Sequence, residues 1–580
     1  MPSSGAGSFA GGPPPGAAAT TALALRRSDS EGSLRTEWSE ERSPSACSRS
    51  RKSRSRSRSR SSGSSSGERK PPDIGTEVMK LGADDLATLR VGTNGKSYEK
   101  VARVSEAEIT LRERDGLVEI KGTMLQRRRA RKYANLVMRM RLGPHMLMED
   151  LDEGDMTIVS VPPDVVGYVQ GQGGGVLRNI EEEWNTLMFF IDTDLTRAQR
   201  VAVFGSIRGR RGSELKVLSA IETKMPGYMA TVHHDVINRD RYKDETGTWG
   251  TDYMTFRDEG EISYALGKQG GTRRKLERSS GCVVQYVGMM AICSGTKAER
   301  VRVREYMKWL FQQLEGPVYV NGWQGRDDCT IVDIPTDCIG YITGNRRAAL
   351  GAMEEEWGSL MFFMSEHDER RGGRGGGGTE RLAIFGPDRA RKGSELKIMS
   401  SIETKSPGFF TRGLREKTSS RKGFDTDRLV MRDEEVSYAL GKDGATRKKL
   451  ELASGAILQY VGHVAFVAGN MPERRRCREF VTWLLQQRRG AVTISDIKGR
   501  GDVTEVHIPA NCKGWVAGNR GSELRRMEQA SGTYMFMALD AQGEERLLIF
   551  GVHKGSRTRD GGRLHAERLV KDLIREKQAE

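Results

Sequence analysis

An α+β chain of six repeated modules behind a disordered tail is the fold that this sequence predicts. Each module is expected to be one three-stranded antiparallel sheet covered by three helices. Three observations carry the prediction. Six short glycine-bearing loops recur in register: the first, third and fifth start 175 and 174 residues apart, the second, fourth and sixth 173 and 174 apart. The text around the loops returns with them. Ser263-Tyr264-Ala265-Leu266 reappears as Ser437-Tyr438-Ala439-Leu440, Glu181-Glu182-Glu183-Trp184 as Glu354-Glu355-Glu356-Trp357, and Gly212-Ser213-Glu214-Leu215-Lys216 as Gly393-Ser394-Glu395-Leu396-Lys397. Finally, residues 1–72 are Gly, Pro, Ala, Ser and Arg with few large apolar side chains, so they cannot bury enough surface to offset ordering entropy.

The tail comes first. Within it, residues 48–66 read SRSRKSRSRSRSRSSGSSS, which resembles the RS segments of SR splicing proteins. Unmodified, its arginines form a dense positive brush; phosphorylation at Ser53, Ser55, Ser57 and Ser59 would reverse the local sign. This resemblance implies SR-type kinases and RS-domain proteins as partners and a nuclear protein that shuttles to the cytoplasm. The bland alternative is a solvated basic tail. A second biased stretch, residues 370–378, is RGG-like and is expected as a long loop inside the fourth module.

The modules follow at residues 73–146, 154–226, 250–315, 327–406, 426–489 and 501–577. The fifth is the cleanest to read. Residues 428–431 form a strand-like run, and 434–440 a short helix that ends at the glycine loop. Residues 445–453 read as a second helix, stopped by Ser454-Gly455. Residues 456–461 and 464–467 are β-rich around a two-residue turn, and 472–487 is a longer helix with Phe480, Leu484 and Leu485 on helical spacing. The order is β-α-loop-α-β-β-α, and one sheet covered by helices is its compact solution.

Composition limits the function. At 580 residues the chain exceeds a single core. Net charge is +16, but residues 1–70 hold 13 Lys/Arg against 6 Asp/Glu, leaving 81 against 72 for the rest. Nucleic-acid affinity must therefore come from local patches. The seven cysteines form no CxxC pair and sit mostly in apolar runs, which reads as reduced, buried thiols. An enzyme is not expected, and neither are cofactors or metals. Gly95-Lys96-Ser97 has Arg90 where a P-loop needs glycine, and Val176 breaks a dinucleotide fingerprint after Gly171 and Gly173. HExxH is missing from the sequence, and no nucleophile elbow of the GxSxG type appears: Gly63 to Gly67 fits the pattern but lies in the Ser-rich tail.

The element order, with a GxxG loop between the first two helices, resembles the type I KH domain over about residues 73–577. The resemblance implies multivalent binding of single-stranded RNA, with each loop clamping the backbone of about four nucleotides. The carried-over residues are Gly92, Thr93, Asn94, Gly95 and Lys96 in the first module and Gly171, Gln172, Gly173 and Gly174 in the second. They are Gly267, Lys268, Gln269 and Gly270, with Arg273 and Arg274, in the third, and Gly344, Asn345, Arg346 and Arg347 in the fourth. Gly441, Lys442, Asp443 and Gly444, with Arg447 and Lys448, follow in the fifth, and Gly518, Asn519, Arg520 and Gly521 in the sixth.

The copies are unequal. The odd modules and the sixth are basic after the loop, whereas the second and fourth carry Glu triplets that would weaken phosphate contact. In the fourth, Arg347 replaces the last glycine, which puts close backbone approach in doubt while leaving two arginines to meet a phosphate. The expectation is therefore that the odd modules and the sixth lead RNA contact, in mRNA or pre-mRNA processing or regulation, and that the second and fourth stiffen the array. Single-stranded DNA binding and an RNP scaffold are the alternatives. For one loop alone, a tight helix–helix turn is the plain reading.

Overall fold

The computed structural model describes residues 73–91, 97–112, 114–139, 154–191, 199–237, 247–365, 379–494, 497, 499–552 and 562–579. The tail, its RS segment, the RGG-like stretch and the first loop, Gly92 to Lys96, lie outside the described residues.

Six sheets are present among the described residues, each with its module's three strands antiparallel in the order first–third–second; the sixth sheet adds a short parallel strand, Val492–Thr493, at its edge. The α+β fold expected from the repeats is the fold of the chain. In the fifth module the strands are Asp425–Val430, Ile457–Val461 and Val464–Gly469, and the helices Asp433–Leu440, Ala445–Ser454 and Met471–Gln487. The long helix starts on Asn470, which caps the N–H of Glu473 while the Glu473 carboxylate takes the N–H of Asn470 at 2.9 Å. The second helix ends on Gly455 at φ 76°, a left-handed cap where a side chain would be strained.

Sheets in this fold have one face against their own helices and one face open. Here the open face is covered by the helices of the preceding module. In the second module's strand Leu187–Ile191, Met188 and Phe190 point to their own helices, while Leu187, Phe189 and Ile191 pack against Val104, Tyr133 and Leu136 of the first. In the third, Val284 and Tyr286 face their own helices and Val283 and Val287 join Val217 and Met229 of the second. The same alternation places Leu360 and Phe362 on the third module, Ile457 and Val461 on Leu396 of the fourth, and Tyr534 and Phe536 on Phe480 of the fifth. Strands apolar on both faces are what a doubly covered sheet requires. Each buried Leu or Phe contributes roughly 1.5–3 kcal/mol, so the five junctions bind the modules into one stack.

The two ends of the stack are different. The outer face of the first sheet carries exposed Thr76, Lys80, Thr110 and Arg112 beside Ile74 and Val78. In the last helix, Gly562–Ala579, Arg568, Lys571 and Asp572 are exposed at the positions where the fourth module buries or half-buries Leu396, Met399 and Ser400. Polar outer faces on terminal repeats are how a stacked array stops.

The repeated words of the sequence are the joints of the even modules. A Cβ on Gly212 would come within 2.0 Å of the Trp184 ring, and one on Gly393 within 2.0 Å of Trp357. Ser213 and Ser394 share hydrogen bonds of 2.8 Å with Thr186 and Ser359. Lys216 meets Glu183 at 3.1 Å and Lys397 meets Glu356 at 3.6 Å. Six cysteines in the described residues are unpaired, and burial pushes the Cys477 thiol up to about 12.

Candidate nucleic-acid interface

In modules two to six the loop joins the two short helices as one conserved turn. Its first glycine sits at φ 68–72° and ψ 170–177°. A Cβ there would meet Val176, Thr272, Ala349, Thr446 or Glu523 at 2.2–2.7 Å, and the amide nitrogen of the same residue lies within 3.0 Å. Glycine is required at this position by contact as well as by φ. The third loop residue is left-handed in all five: Gly173, Gln269, Arg346, Asp443 and Arg520, with φ between 48° and 56°. The turn closes through its fourth residue, as in Gly270 N–H to Gly267 C=O at 3.1 Å. The two central residues, Gln172-Gly173, Lys268-Gln269, Asn345-Arg346, Lys442-Asp443 and Asn519-Arg520, are exposed. The ten-residue second helix then begins directly behind them, its N-terminal partial positive charge beside the turn.

The basic residues after the loops divide into two groups. Arg274 donates to the carbonyl of Gln269 at 2.7 Å and lies along the loop, and Lys448 is exposed at the corresponding position of the fifth module. Two further arginines occupy this place, four residues past the loop. The guanidinium of Arg178 would lie 3.3 Å from a Cβ on Gly174, and that of Arg525 3.7 Å from one on Gly521. Arg178 is missed when the second module is judged by its Glu triplet alone; a basic residue at a fixed offset from the loop is the signal that finds it.

Arg273 and Arg447 do not join the interface. They are 4% and 7% exposed, and each turns inward on its helix. Arg273 donates to Val284 C=O at 2.6 Å and to Glu277 at 3.2 Å; Arg447 donates to Leu458 C=O at 2.8 Å and to Glu451 at 2.9 Å. Three residues past the loop, a side chain lies on the core side of the second helix, so its charge is used within the module. Lys100, Lys275 and Lys449 are taken up as well, pairing with Glu181, Glu354 and Glu528 of the next module at 2.7, 2.7 and 3.0 Å.

The same pairs correct the reading of the first glutamate of each triplet, while Glu182, Glu183, Glu355 and Glu356 are exposed. Glu181 and Glu354 are 5% and 3% exposed, and their carboxylates accept from Met188 N–H and Met361 N–H, both at 2.8 Å. They hold the edge strand and the preceding module, and do not face an incoming phosphate. Arg347 is corrected in the same way. Its guanidinium donates to the Met361 carbonyl and lies 3.3 Å from Glu354, so it reaches inward to the place that Arg273 and Arg447 fill in their modules. It does so from φ 65°, a left-handed conformation that costs an L residue about 1 kcal/mol. Arg346 alone of the pair is exposed.

Burial raises the carboxyls of Glu277, Glu451 and Glu528 above the ordinary range, against the pull of Arg273, Arg447 and Lys449 respectively. Among the described residues, no helix is long and apolar enough to cross a membrane.

No known protein-family pattern matches the chain, and no curated protein matches it. Solved structures do match. Dim2p from Pyrococcus horikoshii OT3 is 15% identical, with 27% of this chain and 89% of that chain covered and a TM-score of 0.16. The a/eIF2alpha–aDim2p–rRNA complex from the same organism matches at 15% identity over 28% and 92%, with a TM-score of 0.16. A structure described as KH domains matches at 12% identity over 58% and 85%, with a TM-score of 0.10. At these values the fold rests on the chain's own topology.

Proposed function

We propose that this protein is a multivalent binder of single-stranded RNA that grips the phosphate backbone through its glycine loops. The observation that carries the reading is the loop itself. Five copies share one backbone geometry, each with an exposed central pair and a helix N-terminus behind it. Four of them add a basic residue at the same offset: Arg178, Arg274, Lys448 and Arg525. Among the five described loops, those of the second, third, fifth and sixth modules are the binding copies, and the fourth, with Arg347 turned inward, is structural. Direct packing between modules fixes the spacing of the loops. A strand bound at one loop therefore meets the next at a defined distance, which raises avidity without new contacts. The RS-like segment supports action on mRNA or pre-mRNA in the nucleus, with kinases of the SR class acting on the tail.

The test is equilibrium binding of the full chain to a short unstructured RNA across a salt series. Affinity should fall steeply and log-linearly with salt. Competition by the matched single-stranded DNA separates the two polymers: equal competition assigns single strands in general. A flat salt response or no binding refutes the clamp and leaves a protein scaffold.

A further inference from the structure

The outer edge of a sheet offers unpaired N–H and C=O groups, and this is what a nucleobase edge would pair with if it lay along the second strand beside a loop. In the third, fourth and fifth modules one outward-facing N–H and C=O pair on that strand is occupied. In the third module Val284 N–H donates to Glu277 at 3.1 Å, and its C=O accepts from Arg273 at 2.6 Å. In the fifth, Leu458 N–H donates to Glu451 at 3.4 Å, and its C=O accepts from Arg447 at 2.8 Å. In the fourth, Met361 is held on both sides by Glu354 and Arg347. Arg347 sits in the loop and the other two arginines in the helix, so the same closure is reached from two different sequence positions.

Further along the strand in the third and fifth modules, a hydroxyl of the preceding module takes a carbonyl. The Ser219 hydroxyl of the second module donates to Tyr286 C=O at 3.2 Å, and the Ser400 hydroxyl of the fourth donates to Tyr460 C=O at 2.9 Å. In the fourth and sixth modules the incoming linker does this work. Val318 bridges in parallel to Met364, with Ser365 N–H on Val318 C=O at 3.0 Å. Val492–Thr493 runs parallel to the sixth module's strand Tyr534–Leu539 as a fourth strand, and Ile494 N–H donates to Leu539 C=O at 2.9 Å.

We infer that modules three to five bind RNA without reading bases along the second strand, so that the chain holds the backbone and discriminates little between base sequences. The inference rests on the RNA-binding reading above and adds the class of substrate: unstructured RNA of any sequence. Fluorescence anisotropy of the full chain with labelled oligo(U), oligo(A) and oligo(C) of one length, at one salt concentration, is the test. Affinities within about threefold of one another are expected, whereas a used base-edge contact separates preferred from unpreferred bases by about tenfold or more. A homopolymer preferred by more than about tenfold overturns the inference while leaving RNA binding intact. Binding to none of the three overturns the RNA reading and this inference with it. Hydrogen exchange on the oligo(U) complex gives a second, positional readout. Residues 268–270 and 442–444 should slow while 457–461 stay unchanged; slowing of 457–461 places bases on the edge and overturns the closure.

Discussion

Replacing Gly393 by alanine separates a joint of the stack from an ordinary helical glycine, because the two readings predict opposite signs. In an open helix interior, Gly→Ala stabilises by about 1 kcal/mol. Here the new methyl would lie 2.0 Å from Cε3, 2.3 Å from Cδ2 and 2.4 Å from Cζ3 of Trp357, inside the contact distance of any real carbon pair. Trp357 cannot swing away freely, since it packs against the buried cluster of Leu396, Ile457 and Val461 at the junction with the fifth module. Overpacking costs about 1–3 kcal/mol, and with contact this close the upper end applies, leaving a net loss of about 2 kcal/mol. In a multimodule chain this is best read locally, by hydrogen exchange of the helix Asp388–Lys405, which should quicken about 30-fold. The sixth module supplies the control. Ser531 and His565 stand at the places of Trp357 and Gly393, so the large and small partners are exchanged. With Trp357→Ser already in place, Gly393→Ala should cost nothing further. Exchange that slows by about fivefold in the single variant would refute the packing argument.

Arg447→Met should lower the stability of the fifth module by about 3 kcal/mol, since it strands the Glu451 carboxylate and the Leu458 carbonyl. Lys448→Met should stay within about 0.5 kcal/mol yet weaken RNA binding; urea unfolding and anisotropy on both variants check the division of labour. Lys449→Met should cost about 2–3 kcal/mol, read as faster exchange at the junction of the fifth and sixth modules, because Glu528 is 3% exposed and loses its cation. Glu451 has a carboxyl raised in the folded chain, first by burial. Its protonated form therefore stabilises the fold fully below the unfolded value of about 4.3, and that contribution is lost as pH rises through the raised value. Relative to Glu451→Gln, the parent should lose stability in urea titrations as pH rises above the unfolded value of about 4.3; a parent that gains stability there contradicts the sign.

The sequence displays the α+β module plainly, because loop register, helix caps and β-hairpin spacing are all local. The loop glycines are legible for the same reason: φ and close approach act within five residues. The direction of a charged side chain is not local. Arg273 and Arg274 are neighbours of identical type, and only the turn of the helix sends one to the core and the other to the loop. The Glu triplets look like solvated acids, yet Glu354 is held by a lysine 79 residues earlier. The stacking did leave a trace. Strands such as Leu187–Ile191 and Leu360–Met364 are apolar at every position, where a half-exposed strand would alternate. The first module's Ile74–Lys80 alternates exposed and half-buried residues, as the end of the stack should.

Loop charge reversal tests the central claim most directly. Lys268→Asp, Gln269→Asp, Lys442→Asp and Arg520→Asp, made together in the full chain, change only exposed turn residues, two of them at left-handed positions that aspartate tolerates. The circular dichroism spectrum and unfolding midpoint should match the parent, while affinity for a short single-stranded RNA falls by at least about tenfold. A folded variant that binds RNA as tightly as the parent would contradict the assignment of the glycine loops as the grip.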